Sequence, residues 1–224
     1  MQTTGNTILI TGGGSGIGRG LAEAFHAKGN QVIISGRRQT ALDAVVDANP
    51  GMAAFTVDMA DAASIQAFAA QVTAVYPALD AVLNNAGIMV NEDMVGGDFL
   101  STAEDTVATN LLGPIRLTAA LLPHLLAKPR ATILTVSSGL AFVPLAATPT
   151  YSATKAAIHS WSVALRHQLR KTSVSVLEIA PPYVQTELQG AHQATDPNAM
   201  PLADFIAETM TLLAGQPDQG EVLV

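Results

Sequence analysis

Cysteine is absent from the 224 residues, which excludes disulfides and thiolate chemistry and makes a reducing cytoplasm the expected setting. Charge is scarce, at 13% of residues, and basic charge is scarcer still. Eleven Lys and Arg stand against eighteen Asp and Glu, a net charge of -7. No general affinity for nucleic acid is expected from that balance. No apolar run reaches the roughly eighteen residues of a membrane span. The N-terminus lacks the basic segment and long apolar stretch of a signal peptide. The five histidines show no HxxxH or similar ligand spacing, so no metal is expected. Low-complexity tracts, repeats and linkers are missing too, which argues for one domain over 1–224.

What is present is apolar and alternating. Hydrophobic residues make up 49% of the chain and mean hydropathy is +0.32, enough for a sizeable core. Short β-rich runs lie at 7–11, 31–35, 53–57, 81–84, 132–137, 173–179 and 221–224. Most are continuously apolar, as strands covered on both faces are. Helical patterns separate them at 16–28, 40–48, 61–75, 102–127, 151–171 and 202–214. Lys28-Gly29-Asn30 reads as a helix stop, and Asn49-Pro50-Gly51 as a turn. Ser101-Thr102-Ala103-Glu104 fits a capping box that opens a long helix. Such alternation predicts parallel βαβ units in an open, doubly wound α/β sheet. The least regular stretch, 185–201, suits a mobile loop over a site.

The turn after the first strand is Thr11-Gly12-Gly13-Gly14-Ser15-Gly16-Ile17-Gly18. Glycines let backbone N–H groups approach a pyrophosphate, and the following helix N-terminus favours negative charge. Strand before and helix after are the context that makes this a dinucleotide loop rather than an ordinary turn. A carboxylate at the end of the second strand would bond a ribose 2′-hydroxyl. Here Gly36-Arg37-Arg38 offers two guanidinium groups instead. Forked, charge-assisted bonds from Arg37, with Arg38 second, suit the 2′-phosphate of NADP(H). Asp58, ending the third strand, is placed either to contact adenine or to enter the next helix, where Asp61 is a rival cap.

Tyr151 and Lys155 stand four apart in Tyr151-Ser152-Ala153-Thr154-Lys155, on one face of a helix. An ammonium beside a phenol favours the phenolate and is expected to lower the tyrosine pKa, suiting it to trade a proton with a substrate oxygen. Ser138 lies thirteen residues before Tyr151, with Ser137 beside it as a rival.

Together these segments resemble the short-chain dehydrogenase/reductase family over nearly the whole chain. Thr11, Gly12, Gly16 and Gly18 match TGxxxGxG, and Asn84-Asn85-Ala86-Gly87 matches NNAG. Asn110 matches the mid-chain asparagine, and Ser138, Tyr151 and Lys155 match the serine and YxxxK. Pro181-Pro182-Tyr183-Val184-Gln185-Thr186 matches PG-x-V-x-T, with proline in place of the glycine. A further resemblance is to the short oxidoreductase branch of D-alanine transfer operons, an association of fold that carries no activity.

The resemblance implies a three-layer doubly wound Rossmann fold with a seven-stranded, mainly parallel sheet. It implies hydride transfer between a nicotinamide and a carbonyl or alcohol carbon. Ser138 would polarise the carbonyl, Tyr151 would donate the proton, and Lys155 would tune Tyr151 and bond the nicotinamide ribose. Asn110, through its helix position, would hold a water linking Lys155 to solvent. Cofactor contacts are implied for Gly12, Gly14, Ser15, Gly16, Ile17, Gly18, Asn85, Ala86, Gly87, Pro181, Val184 and Thr186. The substrate wall would include Ile88, Met89, Leu140, Phe142, Val143, Leu145, Tyr183 and Met200. That wall is apolar and suits a hydrophobic ketone or secondary alcohol.

Rival readings are a 3-oxoacyl thioester reductase, whose acidic carrier would need a basic patch, and a catalytically silent NADP-binding regulator. The regulator should lack Tyr151 or Lys155, and both are present. The glycine-rich tail found in many members is missing after Glu221-Val222-Leu223-Val224. A homodimer through the helices at 102–127 and 151–171, or a homotetramer, is expected.

Overall fold

The apolar runs become seven strands in a computed structural model that describes residues 1–215 and 220–224. They are β1 Thr7–Thr11, β2 Gln31–Gly36, β3 Ala53–Thr56, β4 Ala81–Asn84, β5 Ala131–Val136, β6 Val174–Ala180 and β7 Glu221–Leu223. Each is within a residue or so of its expected bounds. All pairings are parallel, in the order β3-β2-β1-β4-β5-β6-β7. The order reverses between β1 and β4, which opens a crevice at the carboxyl ends of those strands.

Helices α1 Gly16–Ala27, α2 Gln39–Ala48, α3 Ala62–Val75, α4 Leu100–Val107, α5 Gly113–Leu126, α6 Pro149–Leu169 and α7 Leu202–Ala214 cover the sheet. Successive strand side chains point to opposite faces, so each continuous run feeds two cores. Ile8, Ile10, Val32 and Ile34 pack with Leu21, Phe25 and Phe205 on one side. Leu9, Ile33, Val82 and Ile133 pack with Phe68, Leu117 and Leu121 on the other. Each such side chain contributes about 1.5–3 kcal/mol when fully buried.

The helix stop is as expected. Gly29 adopts φ +81 and donates its N–H to the His26 carbonyl at 2.8 Å. Two other expectations need correction. The helix opens at Leu100 with Phe99 at its N-cap and no side-chain cap bond, so the Ser101 capping box does not form. Nor is 102–127 one α-helix: Ala108–Leu112 forms a π-helical segment between α4 and α5. The neighbouring residues explain it. Pro114 has no N–H for the carbonyl four residues back, and a Cβ on Gly113 would meet the Met59 carbonyl oxygen at 2.6 Å.

The stretch 185–201 is pinned at both ends. Gln185 N–H donates to the Met200 carbonyl at 2.9 Å, and Met200 N–H to the Tyr183 carbonyl at 2.8 Å. No helix among the described residues is long and apolar enough to cross a membrane.

Candidate active site

A cleft of about 890 Å³ lies at the carboxyl ends of the strands, along the crevice where strand order reverses. The glycine turn forms its floor. Gly12 adopts φ +69, and a Cβ on Gly18 would meet the Gly12 carbonyl oxygen at 2.3 Å. Backbone therefore passes against backbone where no side chain fits. Thr11 ties this turn to the end of β4, its hydroxyl accepting the N–H groups of Asn85 and Ala86, both at 3.0 Å. The Asn85 amide donates to the Thr11 carbonyl at 2.9 Å.

The cleft gathers the cofactor residues expected from sequence. Gly12, Ser15, Gly16, Ile17, Gly18, Arg37, Arg38, Asp58, Asn85, Ala86, Gly87, Pro181, Val184 and Thr186 all line it. Gly14 does not: its Cβ position faces Ala41 and Leu42, so it lets α2 pack close instead. Arg37 and Arg38 are exposed at the end of β2. Asp58 borders the cleft and accepts the Ala60 N–H at 2.9 Å, and it is Asp61, not Asp58, that caps α3. A groove that runs from two exposed arginines past a glycine-rich turn fits a nicotinamide dinucleotide.

At the far end the cleft meets Ser138, Tyr151 and Lys155. Ser138 starts a 3₁₀ turn, its hydroxyl accepting the Leu140 N–H at 3.1 Å. Ser137 differs, donating its hydroxyl to the Ile179 carbonyl at 3.4 Å. Tyr151 and Lys155 lie one turn apart on α6, with the ammonium 5.4 Å from the ring centroid. Lys155 donates to the Val136 carbonyl at 2.8 Å.

Burial pushes the Tyr151 pKa up to about 12, with the Ser138 hydroxyl working the other way. The expected lowering is thus not found: desolvation dominates, and the group that opposes it is Ser138 rather than Lys155. Burial brings Lys155 down to about 8, against the pull of Glu178, which holds it up.

Asn110 is buried in the π-helical segment. Its side-chain oxygen accepts the Ile88 N–H at 2.9 Å, and its amide donates to the Ile88 carbonyl at 2.8 Å. The side chain thus fixes the wall of the cleft and does not line it. Its backbone carbonyl is the one that Pro114 leaves without an α-helical partner.

The substrate wall is only partly as expected. Ile88, Met89, Leu140, Leu145 and Tyr183 line the cleft. Phe142 turns away onto His159, ring edge to face at 4.8 Å, and Val143 is 73% exposed outside the cleft. Met200 is held by the backbone bridge at 183–200 rather than lining the cleft. The turn at 139–141 bends the chain between Leu140 and Leu145, so alternate apolar residues do not share a wall.

Two structural supports were not visible in sequence. Gln193, buried in the 185–201 stretch, donates to the Val184 carbonyl at 2.8 Å and accepts the Gln189 N–H at 2.9 Å. Glu92 accepts the Thr150 N–H at 2.8 Å, in the first turn of α6, while its own N–H donates to the Ala147 carbonyl at 2.9 Å. Only polarity in an irregular stretch marked either residue.

The family model for short chain dehydrogenases matches residues 6–197. An uncharacterized oxidoreductase of Bacillus subtilis named DltE is 45% identical over 189 residues, covering 84% of this chain and 75% of that protein. Insect and mammalian relatives named as dehydrogenase/reductase SDR family proteins also match, and the chain spans 58% to 61% of their length. A solved short-chain dehydrogenase of Streptomyces avermitilis has TM-score 0.87 at 28% identity, covering 99% of this chain and 89% of its own. One from Sphingobium yanoikuyae in complex with NADPH has TM-score 0.85 at 25% identity, covering 98% and 86%. A Burkholderia phymatum structure in complex with NAD shares the fold, with TM-score 0.89 at 20% identity, covering 100% of this chain and 90% of its own.

Proposed function

Because the chain belongs to the short-chain dehydrogenase family, we propose that it is an NADPH-dependent carbonyl reductase acting on a hydrophobic ketone, or on the secondary alcohol in reverse. One observation carries the reading: a cleft that starts at Arg37 and the glycine turn ends at Ser138, Tyr151 and Lys155. When bound, NADPH supplies the hydride. Arg37 and Arg38 hold its 2′-phosphate, and the turn at 12–18 holds the pyrophosphate. The NADPH and NAD complexes of the solved relatives leave the choice of dinucleotide to this arginine pair.

At the reacting end, Ser138 donates a hydrogen bond to the substrate carbonyl and stabilises the oxyanion that develops there. Tyr151 donates its proton to the same oxygen. A phenol that stays protonated up to about 12 suits this direction, since an alkoxide is the stronger base. Lys155 stands beneath the ring as the local positive charge, and the Asn110 carbonyl offers a water-binding group behind it. Leu140, Leu145, Ile88 and Met89 exclude water from the carbonyl face and favour apolar substituents.

The test follows NADPH and NADH absorbance with a panel of aryl, alkyl and 3-oxo-ester ketones. Turnover of aryl or alkyl ketones with NADPH preferred is the expected outcome. Tight NADPH binding without turnover of any ketone would favour a silent regulator. Equal use of NADH would remove the 2′-phosphate assignment.

A further inference from the structure

The face of α6 turned to the sheet is polar for most of its length. Lys155, His159, Ser162 and Arg166 follow at helical spacing and form one stripe. Beneath them Thr135, Glu178 and Glu221 are register partners across β5, β6 and β7. The two rows pair off. Lys155 donates to the Val136 carbonyl at 2.8 Å. His159 Nδ1 lies 3.0 Å from both oxygens of Glu178. Thr135 and Ser162 share a 2.7 Å hydroxyl bond. Arg166 donates to the carbonyls of Val176 and Gly220 at 3.0 and 3.1 Å and lies 3.6 Å from Glu221.

Glu178 is the unexplained member. It is 1% exposed, on the strand face where Val174 and Val176 are core residues. A carboxylate buried that far needs a compensating charge or a proton. Lys155 is buried as well, and none of its hydrogen bonds among the described residues goes to a carboxylate. One buried anion and one buried cation thus lie between α6 and the sheet, the cation on the helix and the anion on β6.

We propose that Glu178 is a positioning residue for the reaction: its buried carboxylate, held by His159, is the counter-charge that keeps the Lys155 ammonium beneath Tyr151. This rests on the reductase reading given above. Glu178 is the charge that opposes the burial effect on Lys155. His159 in turn carries the ring of Phe142, so the anion is braced from the loop that borders the substrate.

The other charged groups facing the stripe are few. Tyr151 and Arg166 lie on α6 itself, and Glu221 on β7. β5 offers hydroxyls only, and neither the 139–141 turn nor the 108–112 segment has a titratable side chain. Glu104 and Asp105 of α4 are exposed. The His159 ring nitrogen and the carboxylate oxygens of Glu178 and Glu221 lie within 4.8 Å of one another, and Arg166 already brings a cation to Glu221.

The chain has four lysines, at 28, 128, 155 and 171, so ¹³Cε-lysine NMR can follow Lys155 directly, with Lys155→Met assigning its signal. In the wild type and in Glu178→Gln, the Lys155 titration midpoint is expected to differ, falling by about one pH unit or more in the variant. Glu178→Asp, with the charge drawn back by one methylene, should fall between them. The alkaline limb of kcat/KM for ketone reduction should move by the same amount. An unchanged midpoint in folded Glu178→Gln overturns the assignment; if that variant does not fold, an unchanged midpoint in Glu178→Asp does so. Saturable zinc(II) binding by the wild type and not by Glu178→Gln would make the cluster a metal site and also overturn it. The NMR midpoint needs no turnover, so an inactive enzyme would sink the reductase reading separately.

Discussion

The two ends of the cleft are built differently. The dinucleotide end is made of backbone: the glycine turn, the Thr11 hydroxyl against two N–H groups, and strand ends packed without room for another atom. At the substrate end, side chains and irregular segments do the work, at 88–99, 139–148 and 183–201, several of them half exposed. A carrier that is the same in every reaction can be met by a rigid mould. A substrate wall made of side chains can change without disturbing that mould. Substitutions should therefore act in opposite ways at the two ends, with Tyr151 and Lys155 at the joint.

The largest effect is expected at that joint. Tyr151→Phe removes the proposed proton donor and should lower kcat/KM by about 10²–10⁴-fold with NADPH affinity retained. Steady-state kinetics beside a fluorescence titration of NADPH checks both halves. At the dinucleotide end, Arg37→Ala deletes the charge-assisted bond proposed to the 2′-phosphate, worth about 1.5–3 kcal/mol. The preference for NADPH over NADH should fall by roughly ten- to a hundred-fold, read as the ratio of the two kcat/KM values.

Gly18→Ala probes the mould itself. Its Cβ would meet the Gly12 carbonyl oxygen at 2.3 Å and the Asn85 amide at 2.4 Å. A loss of about 1–3 kcal/mol in stability is expected, as for overpacking, together with weaker NADPH binding. Thermal unfolding with and without NADPH measures it. Lys155 gives a pH signature. Its folded pKa near 8 lies below its ordinary 10.5, so between those values the unfolded chain binds more protons. Stability from this position therefore rises as pH climbs through that window. Relative to Lys155→Met, the wild type should gain about 2 kcal/mol between pH 7.5 and 9.5, in urea unfolding at each pH. The smallest effect is at the other end. Val143→Ser should stay within about 0.5 kcal/mol in stability and leave KM for an apolar ketone unchanged, since the residue lies outside the cleft.

The same contrast governs how much was legible in sequence. Strands such as Thr7–Thr11 and Ala81–Asn84 declared themselves because burial on both faces demands unbroken apolar runs. The glycine turn was legible because few other residue types pass that close to a ligand. The π-helical segment at Ala108–Leu112 was hidden, since apolar periodicity survives a one-residue widening of the helix; Gly113-Pro114 was the mark it left. Phe142 and Val143 were misplaced because a single turn decides which side of a loop faces the cleft. Glu178 was overlooked within an apolar strand, where a lone charge is the signal that something opposes it.

Glu92 fills a helix end that would otherwise stand open to an anion. The amino end of a helix is where an acid group of a passing metabolite would settle, drawn by free N–H donors and a positive dipole. In the first turn of α6, one residue before Tyr151, that berth is held by the protein's own carboxylate, Glu92, bonded to the Thr150 N–H. The same residue donates its own N–H to the Ala147 carbonyl, so the stretch at 88–99 is fixed to the start of the helix that carries Tyr151 and Lys155.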